Sequence, residues 1–397
     1  MTAFSLHDYL SVLRAEGSPS DYIEALRRNA QPLVSRGLPV LLTLGHLAFV
    51  TDVDYRYLNA VVRRTVDPYR IFSIAKRSGG KRYIVVADRK LALVQSWIHR
   101  NILTSAAAMR SISSAVTAYV PGSSHIANAS RHRNASWLIK VDVARFFESI
   151  SERQVYYVFR QLGYRALMAF ALTRLCTRVL ETKDFRARKK GRWQKRTVSP
   201  DRPLGIGHLP QGAATSPMLA NLVCRKLDSS LSEIADDRGL IYTRYADDIT
   251  MSGEFQDRMD AESTIGLISG LLGGVGFGIN HQKTSIAKDG GRKIVTGLSV
   301  DGDKLRVPRS YKDNLRQHLY YIEKFGLNEH CVRIGQAHHL AFLLRLAGQI
   351  RYVRSVEPPL GAEMLNRLRR AVPEFDAIDG LVSAAYDTDT DPSQGGG

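Results

Sequence analysis

Two adjacent carboxylates, Asp247 and Asp248, sit in the run Arg244-Tyr245-Ala246-Asp247-Asp248-Ile249-Thr250-Met251. Ile241, Thr243 and Tyr245 alternate before them, and Ile249 and Met251 after them, which predicts two short strands with the acids at a hairpin tip. Carboxylates held side by side raise each other's pKa unless a cation is shared between them, and hard oxygen ligands point to magnesium, with manganese as the alternative. An isolated Tyr-x-Asp-Asp reads far more readily as a solvated acidic turn, and only a further, correctly placed acid overturns that reading. Asp142 provides it, at the end of the apolar run Trp137-Leu138-Ile139-Lys140-Val141, followed by Val143-Ala144-Arg145-Phe146-Phe147. Three acids on neighbouring strands can hold two metal ions about 3.5–4 Å apart, the arrangement that activates a 3′-hydroxyl and stabilises leaving pyrophosphate in nucleotidyl transfer.

Composition bounds the partners of such a site. The 397 residues carry a formal net charge of +18 with 44% hydrophobic content, which describes a folded chain attracted to polyanions, nucleic acid above all. Cys176, Cys224 and Cys331 are far apart and form no Cys-x-x-Cys pair, so neither a disulfide framework nor a zinc site is expected. The longest apolar stretch, Leu38 to Val50, is interrupted by His46 and too short to span a bilayer. The expectation is a reduced, cytoplasmic protein without a membrane partner.

The flanking segments supply the scaffold. Residues 1–60 have helical spacing (Leu6, Tyr9, Leu10, Leu13; then Tyr22, Ala25, Leu26, Leu33) interrupted at Ser18-Pro19-Ser20, and read as an accessory segment. Tyr69–Lys76 and Arg82–Val86 alternate as strands around Ser78-Gly79-Gly80, predicting a hairpin with Lys76 and Arg82 on its arms, a pairing of point and bidentate contacts suited to a triphosphate. Leu91, Val94, Ile98 and Ile102 mark an amphipathic helix. Ser151-Glu152-Arg153-Gln154 has capping-box spacing, and Gly163 can end the helix it starts. Residues 182–203 hold nine lysines and arginines, among them Arg188, Lys189 and Lys190, against Asp184 and Asp201, and read as a basic insertion. After Leu209-Pro210-Gln211-Gly212, Ser216 can cap and Pro217 can open a helix with Leu219, Leu222 or Val223, Leu227 and Leu231 on its apolar face, closed by Gly239. Residues 301–375 are helical, with Leu315, Leu319 and Ile322 inward and Arg306, Arg309, Lys312 and Arg316 available to phosphates. His338 and His339 are expected to be structural, and the acidic, glycine-ended tail 376–397 disordered.

The Asp142 and Asp247-Asp248 segments, with Leu209-Pro210-Gln211-Gly212 between them, resemble the palm of reverse transcriptases, and the ordered motifs cover residues 65–375. Asn128-Ala129-x-x-His132 and Val295-Thr296-Gly297 are similar to two signatures of the retron type. Ala75 and Ala87 depart from that family, which usually has proline there. The resemblance implies an α+β right-hand polymerase: fingers and palm over 61–300, the palm an antiparallel sheet packed on helices, and a helical thumb over 301–375. It places Asp142, Val143, Asp247 and Asp248 at two magnesium ions, Lys283 at the departing pyrophosphate, and Gln211 near template and nucleotide. Phe146 would lie under the incoming sugar and exclude a 2′-hydroxyl, with Phe147 in the core; Asn128, His132, Val295, Thr296 and Gly297 would serve RNA and primer. The implied activity is RNA-directed DNA synthesis from dNTPs on a cognate structured non-coding RNA that is both template and primer. Its product would be a branched, RNA-linked single-stranded DNA made through an RNA–DNA hybrid, with anti-phage defence as the setting and a separate effector protein as partner. A reverse transcriptase of another defence or group II intron-like lineage, or an RNA-binding scaffold in a defence complex, are the alternatives; the intact acids argue against a lapsed polymerase.

Overall fold

The computed structural model describes residues 6–75, 81–179 and 205–380, apart from the side chains of Lys81 and Arg82. Lys76, the side chain of Arg82, the basic insertion 182–203 with Arg188, Lys189 and Lys190, and the tail from residue 381 lie outside the described residues. The chain divides into two compact units: a larger one of Met1–Ser124 and Ile139–Ile286, and a smaller one of His125–Leu138 and Ala287–Gly397.

In the larger unit, four helices (Leu6–Ala15, Ser20–Val34, Leu44–Thr51 and Tyr55–Val62) precede an antiparallel hairpin of β1 (Tyr69–Ala75) and β2 (Lys81–Ala87), paired from Tyr69↔Ala87 to Ala75↔Lys81. The sheet that holds the acids has the order β4-β5-β3-β6, built from β3 (Trp137–Ala144), β4 (Ile241–Tyr245), β5 (Asp248–Gly253) and β6 (Gly278–Ile279), with β7 (Ser285–Ala287) also pairing β3. Strict alternation does not survive in β4: Tyr242, Thr243 and Arg244 are all buried, because Thr117 and Ala115 cover the Arg244 backbone from one side while the Ser216–Asp237 helix packs on the sheet. That helix buries Leu219, Leu222, Leu227 and Leu231, as its apolar spacing requires.

Local signals translate well where they are side-chain-to-backbone chemistry. Ser151 and Gln154 form the reciprocal capping box of Glu152–Leu162, and Gly163 closes that helix at φ 111°. The 91–103 pattern is a helix over Arg89–Ile98 that continues as a π-helical turn, His99–Leu103, still with Leu91, Val94, Ile98 and Ile102 buried. Ser216 does not cap: it is the first helical residue, and its hydroxyl donates to the Pro210 carbonyl at 2.8 Å, fixing the Pro210-Gln211-Gly212 turn. That turn also accepts the Val85 N–H on the Gln211 carbonyl at 2.7 Å, which ties β2 to the segment before the helix.

The smaller unit has its own core, in which Ala129 and Leu138 join Val295, Leu298, Leu315, Leu319, Ile322, Leu346 and Ile350. Its helices are His125–Ser130, Arg309–Phe325, Leu327–Arg333, His339–Val356 and Pro358–Ala371. Lys312, expected to face phosphate, is instead tied to both oxygens of Glu357 at 3.0 Å and mostly shielded from solvent. The disorder expected from residue 376 does not begin there: residues 375–380 are helical, anchored by buried Phe375 and by Asp376 and Asp379, which pair with Arg369 and Arg351. Among the described residues no helix is long and apolar enough to cross a membrane.

Gly212 has φ 126°, and a Cβ there would stand 2.8 Å from the Val85 carbonyl oxygen. Gly212→Ala should therefore lower the melting temperature through about 1–3 kcal/mol of strain. Gly122→Ala, at φ 77° with nothing within 4 Å, isolates the backbone contribution and should lose less; equal losses would mean that the approach of β2 is not tight.

Candidate active site

Asp142 reaches the site from the middle of the sheet. β3 is buried or half-buried along its length, β6 pairs with its end (Val143↔Ile279, Ala144↔Gly278), and the Asn280 N–H donates to the Asp142 carbonyl at 2.8 Å. The hairpin is joined to the same strand, since the Val143 N–H donates to the Asp247 carbonyl at 2.9 Å. β4 and β5 pair with Tyr245 opposite Asp248, which leaves Ala246 and Asp247 as a two-residue turn with Ala246 at φ 58°. A non-glycine residue in that region persists only when its surroundings over-determine it. Here Arg244 Nη1 donates to the Ala246 carbonyl at 3.1 Å.

The acids feel one another. Burial first, then the charge of Asp248, pushes the Asp247 carboxyl above the usual range, and burial with the Asp142 charge does the same to Asp248, opposed by Lys140 and Lys283. One Asp142 oxygen accepts from Asn280 Nδ2 at 2.9 Å and the other from Lys283 Nζ at 2.8 Å, and this hydrogen bond raises the Lys283 pKa. Carboxylates are hard oxygen donors of the kind a divalent cation takes, although among the described residues no three acidic, histidine or cysteine side chains are arranged as a ready-made metal site.

The sequence-predicted residues fare differently. Asp142, Asp247, Asp248 and Lys283 are brought together, with Val143 between strand and hairpin. Gln211 is half-buried with its carbonyl on β2. Phe146 follows Arg145, which has φ 47°, and is 5% exposed, its ring 5.6 Å from that of Phe277 and 5.5 Å from that of Phe147. The expected order is reversed, for Phe146 is the more enclosed of the two and Phe147 only half-buried. Tight turning at Arg145 directs Phe146 inward.

Asn128 and His132 are 1% and 0% exposed, and Val295 is fully buried. Their side chains are thus enclosed in the protein rather than presented on its surface. Burial also holds His132 down to about 4, so that it is neutral at physiological pH. What the structure adds is that the two signatures meet. Thr296 (φ 45°) and exposed Gly297 (φ 86°) form the turn between β8 (Ile294–Val295) and β9 (Leu298–Ser299), and the Thr296 hydroxyl donates to the His125 carbonyl at 2.8 Å, at the start of the helix bearing Asn128.

Three functional candidates escaped sequence reasoning. Asn280, three residues before Lys283, holds Asp142; Arg244, directly before Tyr245, holds the turn; Asp228 holds Arg244. The signal for Arg244 is a charged residue inside an apolar strand, which needs a buried partner.

With that geometry in place, comparison with known proteins is decisive. A family model described as reverse transcriptase (RNA-dependent DNA polymerase) matches residues 50–312. The chain is 28% identical to the Retron Ec86 reverse transcriptase of Escherichia coli over 361 residues, 88% of this chain and 99% of that one. It is 30% identical to two Myxococcus xanthus proteins, the Retron Mx65 reverse transcriptase (85% of this chain, 74% of the relative) and the Retron Mx162 reverse transcriptase (77% and 61%). The chain belongs to the reverse transcriptase family, as a retron-type RNA-directed DNA polymerase.

The raised carboxyls have a consequence for stability. A group whose folded pKa lies above its unfolded value opposes folding when ionised, and the penalty fades as pH falls through the folded pKa. Asp247→Asn should thus melt above the unaltered protein at neutral pH, with the gap closing on acidification, and should respond less to added magnesium. A variant that melts lower at neutral pH and keeps the full magnesium response would contradict this account of the site.

Proposed function

We propose that the chain is a magnesium-dependent reverse transcriptase of right-hand architecture, with residues 61–300 as fingers and palm, 301–375 as thumb and 1–60 as an accessory segment, which copies part of a cognate structured RNA into DNA. The observation that supports it most is the convergence of Asp142, Asp247 and Asp248 on adjoining strands, buried enough to raise the hairpin carboxyls. Two divalent ions held there by the three carboxylates and the Val143 carbonyl would supply activation of the attacking hydroxyl and charge neutralisation at the departing pyrophosphate.

The protein's own groups prepare the rest. Lys283, kept protonated by its hydrogen bond to Asp142, would supply its Nζ proton or positive charge to the leaving group. Asn280 keeps the Asp142 carboxylate oriented meanwhile. Lys76 and Arg82 would hold the triphosphate of the incoming dNTP from the β1–β2 hairpin, and Gln211 would line the template side. Phe146, packed against Phe277, would offer its exposed margin to the sugar and exclude a 2′-hydroxyl. Arg188, Lys189 and Lys190 would add to phosphate attraction, whose salt dependence follows the number of phosphates neutralised.

Because the relatives are named as retron enzymes, the product is proposed to be single-stranded DNA joined to its RNA by a 2′–5′ branch, in an anti-phage role with a separate effector. The buried signatures support this indirectly, by fixing the Thr296-Gly297 turn that faces outward for RNA or primer.

Asp142→Asn and Asp247→Asn should abolish DNA synthesis while RNA still co-purifies with the protein. Nucleic acid from the active protein should leave, after ribonuclease, DNA with a small RNA remnant that a debranching enzyme removes; a free DNA 5′ end would leave the polymerase assignment standing and remove the branched product. For sugar choice, Phe146→Val should admit ribonucleotides in single-nucleotide incorporation. Unchanged discrimination would take Phe146 out of the nucleotide pocket.

A further inference from the structure

Below the hairpin lies an ion pair that the chemistry does not use. Arg244 and Asp228 are 1% and 0% exposed, joined by two parallel contacts, Nε to Oδ1 and Nη2 to Oδ2, each 2.7 Å. Further hydrogen bonds hold both partners. Tyr242 donates its hydroxyl to Asp228 Oδ1 at 2.8 Å, and Arg244 Nη1 donates to Asn221 Oδ1 at 3.2 Å and to the Ala246 carbonyl at 3.1 Å. Asn221 in turn donates to the Ala118 carbonyl, and the Arg244 backbone exchanges hydrogen bonds with Ala115 and Thr117. The other side of the guanidinium lies over the Phe146 ring, 5.9 Å from its centroid.

Stability alone is a poor reason for this arrangement, because a buried ion pair can often be replaced by apolar side chains without loss. Its geometry offers something an apolar pair cannot. A guanidinium is a rigid planar fork, so fixing one edge on Asp228 fixes where the remaining nitrogen points. That nitrogen meets the carbonyl of the left-handed residue directly before Asp247, and the guanidinium carbon lies over the aromatic ring at the other candidate subsite. One group therefore touches both the turn that presents the acids and the ring placed to read the sugar.

We propose that Arg244, held by Asp228, is a positioning residue that sets the Ala246-Asp247 turn and the Phe146 ring together, so that cation binding and sugar selection are coupled through a single buried guanidinium. This rests on the reading of Asp247 and Asp248 as cation ligands and of Phe146 as the sugar-reading residue. Arginine is needed rather than positive charge alone: lysine would keep the charge but lose the fork.

The test uses the full-length protein carrying Arg244→Met with Asp228→Leu, an apolar exchange that leaves no unpaired buried charge, and separately Arg244→Lys. Expected is a cooperative melt for the double variant, with most of the magnesium-induced rise in melting temperature lost. Half-maximal DNA synthesis should need roughly 10–100-fold more magnesium, the usual effect of removing a group that orients a ligand. Discrimination against ribonucleotides should relax in the same variant, which mere loss of stability would not produce. Arg244→Lys should move both readouts in the same direction, and it keeps the idea testable should the double variant fail to fold. A folded variant of either kind with unaltered magnesium response and unaltered sugar discrimination would overturn the proposal. Magnesium response and synthesis that persist in Asp247→Asn would instead overturn the cation-site reading, whatever the Arg244 variants do.

Discussion

Carboxylates forced together away from water repel, and the larger unit is arranged around containing that repulsion. The backbone contains much of it: the Val143 N–H holds Asp247 by its carbonyl, the Asn280 N–H holds Asp142 by its carbonyl, and Arg244 holds Ala246. None of these bonds uses a carboxylate oxygen of the hairpin. The acids are thus fixed through their main chains, which separates the problem of position from the problem of charge. Lys283 and Asn280 hold only Asp142, and of these Lys283 is on a mostly exposed side chain that can leave.

Such containment needs donors that add no net charge near the acids. The Arg244–Asp228 pair meets that need, since its charge is cancelled at the far edge of the guanidinium and only one nitrogen projects to the turn. Gly212 plays the corresponding steric part on another side of the unit, where the Pro210–Gly212 turn and β2 are too close for a side chain. Rigid support of this kind is what nucleotidyl transfer requires, because misplacement by about 1 Å can reduce rate roughly 100-fold.

The smaller unit follows a different logic. Its two signature segments are separated by over a hundred and fifty residues yet share one core, with Thr296 bonded to His125 and Asn134 bonded to Val300. Most of their side chains are inside, so the recurring residues specify a surface by shaping what lies beneath it. The type I′ turn at Thr296-Gly297 is the part left outside.

Much of this was legible in the chain. Alternation around Asp247-Asp248 gave the hairpin, the apolar run gave the buried strand of Asp142, and Ser151 with Gln154 gave a helix start, because each signal depends on residues within a few positions of one another. The order of the motifs was enough to recognise a polymerase. The sequence by itself determined the local elements and marked the candidate groups that they bear. Tertiary structure alone decided which groups face solvent and which partners they take: that Phe146 is more enclosed than Phe147, that Asn128 and His132 are core residues, that Lys312 is bound to Glu357, and that Arg244 reaches Asp228 and the Ala246 carbonyl at once. Burial and pairing depend on chain segments distant in sequence, and periodicity says only which face of an element is apolar. It does not say what will cover the other.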